Sequence, residues 1–544
     1  MRRRRFLATL GLPALARTTT PDLIVHHANV ITVDAANPRA EAIAIAGDRL
    51  LAVGSNNEVR GLATPRTRQL HLEGKTVVPG FIDAHTHPAS SGRSHLREVD
   101  CDLRSIAEIQ KAIRERAAKS PKGEWVLGFK YDDTKTAEGR TLTREDLDAA
   151  APGHPVAIRH RGGHTAYVNS LAFRIAEVPE NVSDPPGGHF DRDPATGRLT
   201  GKLRERATEP FGRFLRRDDT RDDEREGVAL IAKMMTRAGV TSVHDTGGGS
   251  IRAYKDAREA GQLLFRVYCL VNPGTLNRMI EAGVRTGFGD EWVRVGALKL
   301  MADGSISERT ARLSEPYVGR PKDFGILVTP ENELYEAARK AHLNGFQIGV
   351  HANGDTAIEM VLRIYERLQR ESPRRDPRFR LEHCTLINDD LVRRIARLGA
   401  IPNPFSTYVY YHGEKMREYG ADRLNRMFAV RTFLDAGVRV TQTSDYTPGP
   451  FEPMMALQSS VTRTDSNGAV WGPKQRITVD EAIRVGTLHG AYASYEEHLK
   501  GSLEPGKLAD LVVLGRDPLR EDPSTLITIP VERTMVGGKW VWEA

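Results

Sequence analysis

Two imidazoles stand two residues apart, His85 and His87, at the end of the stretch Val77-Val78-Pro79-Gly80-Phe81-Ile82-Asp83-Ala84-His85-Thr86-His87-Pro88. The apolar half reads as a short buried strand, and the period of two along a strand turns both rings to one face, roughly 7 Å apart. Neutral imidazole nitrogen binds zinc at about 2.0–2.1 Å, and a catalytic zinc site keeps one position open for water. A lone His-x-His is equally a pair of polar residues bonded to a neighbouring loop. What favours a metal is that Lys299, His351, His383 and Asp445, all groups able to ligate, close later strand-like runs.

The elements that must position these groups are short apolar runs at 77–84, 240–244, 265–271, 293–300, 347–351, 380–383, 400–404 and 438–445. Helical patterns separate most of them, at 224–238, 333–344, 356–369, 389–398 and 431–436. Alternation of this kind predicts parallel strands with crossover helices. Eight units predict an α/β (β/α)8 TIM-like barrel, whose chemistry sits at the C-terminal strand ends. His85 and His87 then close the first strand, Lys299 the fourth, His351 the fifth, His383 the sixth and Asp445 the eighth. A doubly wound open sheet is the competing architecture, but no Gly-x-Gly-x-x-Gly follows a strand.

Strand-like alternation also fills residues 22–78, punctuated by Gly47-Asp48 and Gly54-Ser55, and returns at 500–544, where Gly537-Gly538 marks a hairpin turn. Neither set is large enough to bury its own faces. The two are expected to pack together as one composite β-sandwich, leaving 79–499 as the barrel, with a long insertion at about 88–221.

With 40% hydrophobic and 27% charged residues, the 544-residue chain has the composition of a soluble globular protein. Of its formal charge of +7, Arg2, Arg3, Arg4 and Arg5 supply four units, leaving +3 on the remainder, and no other long basic tract is present. A nucleic-acid partner is therefore not expected; a small-molecule substrate is, with a homo-oligomer left open. Residues 1–16 have a basic start, an apolar run and the small-x-small end Ala14-Leu15-Ala16, the layout of an export signal. The Arg-Arg pair before Phe6-Leu7 resembles a twin-arginine signal, which predicts a periplasmic or secreted protein beginning near Arg17; a frayed basic terminus on a cytoplasmic protein is the alternative. No later apolar run reaches the roughly 20 residues of a membrane span, and Cys101, Cys269 and Cys384 are too few to frame the fold.

The sequence resembles the metal-dependent amidohydrolase superfamily, and within it amidohydrolase family 3, the YtcJ-like branch that includes N-substituted formamide deformylase. The resemblance rests on Pro79-Gly80-Phe81-Ile82-Asp83-Ala84-His85-Thr86-His87, on Lys299 with Asp303-Gly304-Ser305, and on His351-Ala352-Asn353-Gly354-Asp355. It extends through Glu382-His383, Ser444-Asp445-Tyr446 and Gly506-Lys507-Leu508-Ala509-Asp510-Leu511, and so spans nearly the whole chain. Asn353 and Cys384 stand where apolar or small residues are expected, and Thr447 where proline is common.

The resemblance implies that His85, His87, Lys299, His351, His383 and Asp445 bind one or two divalent ions, zinc first among them, and that Asp445 also carries the proton from water to the leaving nitrogen. An ammonium about 4 Å from a divalent ion would be repelled by roughly 8 kcal/mol at an effective dielectric of about 20, or about six pKa units. Lys299 as a ligand must therefore be neutral or, as in related two-metal enzymes, carboxylated into an anionic bridge. Its plain alternative is a salt bridge to Asp303 or another acid with a single ion bound. The insertion is expected to gate the substrate, with Arg159, His164 and Glu205 as candidate substrate-binding residues and Tyr408, Tyr410, Tyr411 and His412 at the pocket mouth. The implied activity is hydrolysis of a non-peptide carbon–nitrogen bond in an amide, formamide or cyclic amide by metal-activated water. The alternatives are an aminated-heterocycle deaminase on the same barrel and a non-catalytic metal-dependent binding protein.

Overall fold

Seven parallel strands make the barrel wall in the computed structural model: β1 Phe81–Thr86, β2 Val240–Asp245, β3 Arg266–Val271, β4 Val293–Met301, β5 Ile348–Ala352, β6 Arg380–His383 and β7 Ile401–Asn403. They pair in sequence order around one sheet. Every residue of β1, β2 and β3 is buried, as in parallel sheets covered on both faces. The structure describes residues 20–163, 165–185, 188–215, 219–247 and 251–544, with Glu205 and Leu215 described by backbone alone. The export signal read at 1–16 and the candidate His164 lie outside the described residues.

Two of the expected strands differ. The run 438–445 forms no ladder, but it closes the wall: Thr441 N donates to Pro402 O, Ala84 N to Gln442 O and Asp445 N to His85 O, at 3.2, 3.0 and 2.8 Å. Side chains take the donors a ladder would use, since Thr443 N bonds Ser406 Oγ (3.1 Å) and Ser444 N bonds Asp83 Oδ1 (3.0 Å). The run 77–84 is broken at Gly80 into Thr76–Pro79, which belongs to the sandwich, and β1. A Cβ at Gly80 would lie 2.1 Å from Thr241 Oγ1, so only glycine lets the chain cross so close to β2.

The helices carry their own start and stop signals. Arg221–Arg237 opens on a Thr220–Asp223 capping box, and Asp389–Leu398 runs from the Asn388 cap to Gly399 in the left-handed conformation. Between strands and helices lies the main core, with Leu298, Ile348, Val350 and Leu381 against Leu334, Ile358, Val361 and Tyr365. The inside of the barrel is polar instead, and this is what the site is built from.

The chain ends share a sheet: Leu511–Leu514 pairs antiparallel with Thr76–Pro79, and Val531–Val536 and Lys539–Glu543 extend it. A second sheet orders Arg49–Gly54, Ala42–Ala46, Leu23–His26 and Arg68–His71, and the two faces meet over Val25, Ile43, Val77, Leu511 and Met535. Residues 88–221, the insertion expected to gate the substrate, hold a six-stranded mixed sheet of their own. Its two ends are pinned together where Pro88–Arg97 crosses Arg221–Arg237; a Cβ on Gly92 would lie 2.0 Å from Gly227 O.

Candidate active site

All six expected ligand-type residues, His85, His87, Lys299, His351, His383 and Asp445, line one cavity of about 540 Å³ at the C-terminal ends of the strands. His85 is the penultimate residue of β1, and His87 stands at the N-cap position of the helix Pro88–Arg97. Lys299 comes from β4, His351 from β5 and His383 from the end of β6. Period two cannot turn both Glu382 and His383 inward. His383 manages it at φ +70°, and Asp445 sits at φ +52°, so the backbone is held in sparsely populated conformations at both positions.

Three of the imidazoles, those of His85, His351 and His383, are steered by a second contact. His85 Nδ1 bonds buried Glu382 Oε2 at 2.6 Å, which turns Nε2 to the cavity. Glu382 in turn accepts from Arg380 Nε (2.7 Å) and Asn403 Nδ2 (3.2 Å), and Arg380 also donates to Ala84 O and His244 Nδ1. A Cβ at Gly349 would lie 2.5 Å from Glu382 Oε1, so the glycine on β5 makes room for this carboxylate. His351 Nε2 faces Gly304 O at 3.0 Å, and His383 stacks on Phe405 with centroids 4.3 Å apart. Of this supporting set Arg380, Asn403, His244, Gly349 and Phe405 lie outside the motifs that carry the family resemblance. Asn353 is explained by its bonds to Gly304 O and Thr385 Oγ1.

Burial keeps two of the rings neutral: His383 is pushed well below the ordinary imidazole range, and His351 down to about 3 with Lys299 adding to the effect. Burial alone would raise the Asp445 carboxyl, but His85 and His87 beside it hold it well below its usual range. Burial also lowers the Lys299 ammonium. Among the described residues Lys299 has no hydrogen bond and no ion pair, so the salt bridge to Asp303 is not formed. Asp303 is satisfied instead by the backbone N–H groups of Arg312, Asn353 and Gly354.

The donor set fits a divalent cation. Ligand atoms of His85, His87 and Asp445 lie within 4.8 Å of one another, with His87 Nε2 3.0 Å and His85 Nε2 3.4 Å from Asp445 Oδ1. His85 Nε2, His383 Nδ1 and Asp445 Oδ1 are buried without a hydrogen-bond partner among the described residues. Each orphan of this kind costs about 1–3 kcal/mol, an expense that ligation would remove.

The sequence profile of the amidohydrolase family matches residues 70–542. The chain belongs to that family. This amidohydrolase is 32% identical over 540 residues to N-substituted formamide deformylase of Arthrobacter pascens, covering 96% of this chain and 98% of that one. It is 29% identical over 535 residues to the Bacillus subtilis protein YtcJ, covering 96% and 99%. An uncharacterized metal-dependent hydrolase from Pyrococcus furiosus superimposes on it with a TM-score of 0.73 and 26% identity, over 92% of this chain and all of that one.

The insertion of this amidohydrolase docks on the cavity rim. Arg159 points away, its guanidinium paired with Glu98 at 2.7 Å. The side chain of Glu205 is not described. Tyr408 does line the cavity, but His412 is buried 3.6 Å from Asp132. Asp132 accepts from Thr134 N and Oγ1 (3.0 and 2.7 Å) and from Lys415 Nζ (3.2 Å), while His160 Nε2 stands 3.8 Å away and His160 Nδ1 accepts from Gly162 N; the Lys415 bond seats the insertion on the barrel. Arg161, one residue beyond His160, donates to Thr447 O (2.7 Å) just past Asp445, and to Asp102. Tyr411 OH completes the link to Asp102 at 2.6 Å.

Burial alone would raise the Asp102 carboxyl, but Arg161, Arg104 and Tyr411 hold it down to about 2 against an ordinary 3.8. A carboxyl lowered by folding contributes stability above its unfolded value and loses it as the pH falls through the folded one. The docked insertion is therefore expected to loosen between about pH 4 and pH 2, by on the order of 1–2 kcal/mol after allowance for the partial exposure of Asp102. Amide protection factors at 99–104 and 156–161 should fall over that interval in the parent and be low already at pH 5 in Asp102→Asn. Protection that does not change with pH would show that Asp102 is not what holds the insertion.

Proposed function

We propose that this amidohydrolase cleaves the carbon–nitrogen bond of an N-acyl amide, formamide or cyclic amide. His85, His87, His351, His383 and Asp445 would hold one or two divalent ions, with carboxylated Lys299 as the bridge if there are two. Imidazole with carboxylate favours zinc, though manganese and iron suit the same donors. The observation that carries this reading is the convergence of six ligand-type side chains on one cavity with three buried donor atoms left unpartnered. The amide class draws its support from the relative named as a formamide deformylase.

When bound, the ion would lower the pKa of a water molecule from about 15.7 towards about 7 and polarise the substrate carbonyl. The chain's own residues do the rest. Glu382, through His85 Nδ1, and Gly304 O, against His351 Nε2, fix the rings that define the binding position. The Asp445 carboxylate takes the proton of the attacking water and delivers it to the leaving nitrogen.

A panel of amides and aminated heterocycles, read for formate or carboxylate release against ammonia release, tests the reading. Acid release with an amine co-product supports it; ammonia from heterocycles alone would make the protein a deaminase. Elemental analysis should find one or two divalent ions per chain in protein purified without chelator. No ion, and no gain of activity with zinc, manganese or iron, would overturn the metal requirement. For Lys299→Ala, loss of metal and of activity is expected, with partial recovery of both on adding short carboxylic acids that fill the bridging position. Full metal content and full rate in that variant would exclude a bridging role.

A further inference from the structure

We propose that His26, His27 and His71 form an additional transition-metal site on the β-sandwich, where an ion clips two parallel strands together. His26 closes the strand Leu23–His26 and His71 closes Arg68–His71, and the two residues stand opposite each other in register, so their side chains share a face. His27 would turn to the other face if the strand continued. It sits instead at φ +52°, with its N–H bonded to Asn56 Oδ1 (2.8 Å) and its carbonyl accepting from Gly74 N (2.7 Å). Two backbone bonds thus hold an uncommon conformation that brings a third imidazole beside the first two.

Ring centroids are 4.9 Å apart for His26–His27, 5.2 Å for His26–His71 and 4.4 Å for His27–His71, and one nitrogen from each ring lies within 4.8 Å of the others. His26 Nδ1 and His27 Nδ1 face each other at 2.6 Å, so a single proton now lies where two lone pairs converge. Two nitrogens on a tetrahedral ion at about 2.0–2.1 Å stand about 3.3 Å apart, and the pair need open by less than about 1 Å to exchange that proton for a cation. Burial holds His26 below the ordinary imidazole range, with Arg60 adding to it, so its ring is available as a neutral donor. His27 and His71 are exposed, which gives an ion a path in. Ligation through His71 Nδ1 would in addition displace only the long bond from Glu73 N, 3.2 Å.

Three imidazoles with no carboxylate among them suit Zn²⁺, Ni²⁺ or Cu²⁺, the fourth position going to water. Arg60 is the charge that opposes binding, so micromolar rather than nanomolar affinity is expected.

The untagged full chain, with its active-site metal left in place, is titrated calorimetrically with Ni²⁺ and with Zn²⁺ beside His71→Ala and His27→Asn. Asparagine tolerates the left-handed backbone at 27, and His71 is at the surface, so both variants should keep the fold and the parental hydrolytic rate. The parent is expected to take up one ion more than either variant, or to bind it at least tenfold more tightly, and to show a rise in Tm with Ni²⁺ that both variants lack. Equal stoichiometry, affinity and Tm response in parent and variants, or no uptake by the parent, would overturn the site.

Discussion

Asp445→Asn is expected to lower turnover by about 10²–10⁴-fold, the usual contribution of general acid–base catalysis, while part of the metal stays bound. Asparagine keeps much of the shape and one coordinating oxygen but cannot carry a proton. The backbone at φ +52° is one that asparagine also accepts, and the bond from Asp445 N to His85 O does not depend on the side chain. The comparison must be made at matched metal content, because loss of the ion alone would imitate loss of the base. A metal-replete variant within about threefold of the parent on the best amide would show that Asp445 is not the proton carrier. A variant that binds metal like the parent and is as inactive as expected would also set aside the alternative of a non-catalytic binding protein, which has no use for a shuttle.

Glu382→Ala should be the most damaging change outside the ligand set. The carboxylate is fully buried between His85 Nδ1 and Arg380, held well below the usual range because Arg380 and His85 outweigh the burial that would raise it. Removing it leaves the fully buried Arg380 guanidinium without its anion, a loss of about 3–5 kcal/mol. It also frees the His85 ring, and loss of such a partner typically weakens metal binding by about 10–100-fold. Glu382→Gln separates the two effects: an amide oxygen can still accept from His85 Nδ1, so ring orientation should be partly kept while the charge is lost. Urea midpoints and competitive chelation on both variants check this. Parental stability together with parental metal affinity in Glu382→Ala would mean that neither the ion pair nor the steering of His85 contributes to the fold or to metal binding.

The candidate site was legible because its members announce themselves locally. Imidazoles, a lysine and a carboxylate that close apolar runs can be read one run at a time, and the helices between them carry caps such as Asn388 and Gly399 that need only their neighbours. The supporting residues were less so. Glu382 and Arg380 look like ordinary strand charges until β1 and β6 are placed on one barrel, for the contact that gives Glu382 its role joins residues 297 positions apart. Arg159 read as a substrate contact because it lies in a polar, glycine-rich stretch, yet Glu98, 61 positions away in the sequence, claims it.

What the sequence by itself determined is the inventory: which groups are available, that they fall at strand ends, that helices alternate with strands, and that the whole matches an amidohydrolase pattern. What only the tertiary structure decided is their orientation and closure. Period two assigns alternate residues to opposite faces, and it fails at His383 and Asp445, whose positive φ turns both into the cavity. It also treats 77–84 and 438–445 as whole strands. Close packing against Thr241 breaks the first at Gly80, and Asp83 and Ser406 take the backbone donors that the second would have spent on a ladder. Each exception has the same cause: a backbone group follows its local propensity only until a partner distant in sequence offers it a better contact.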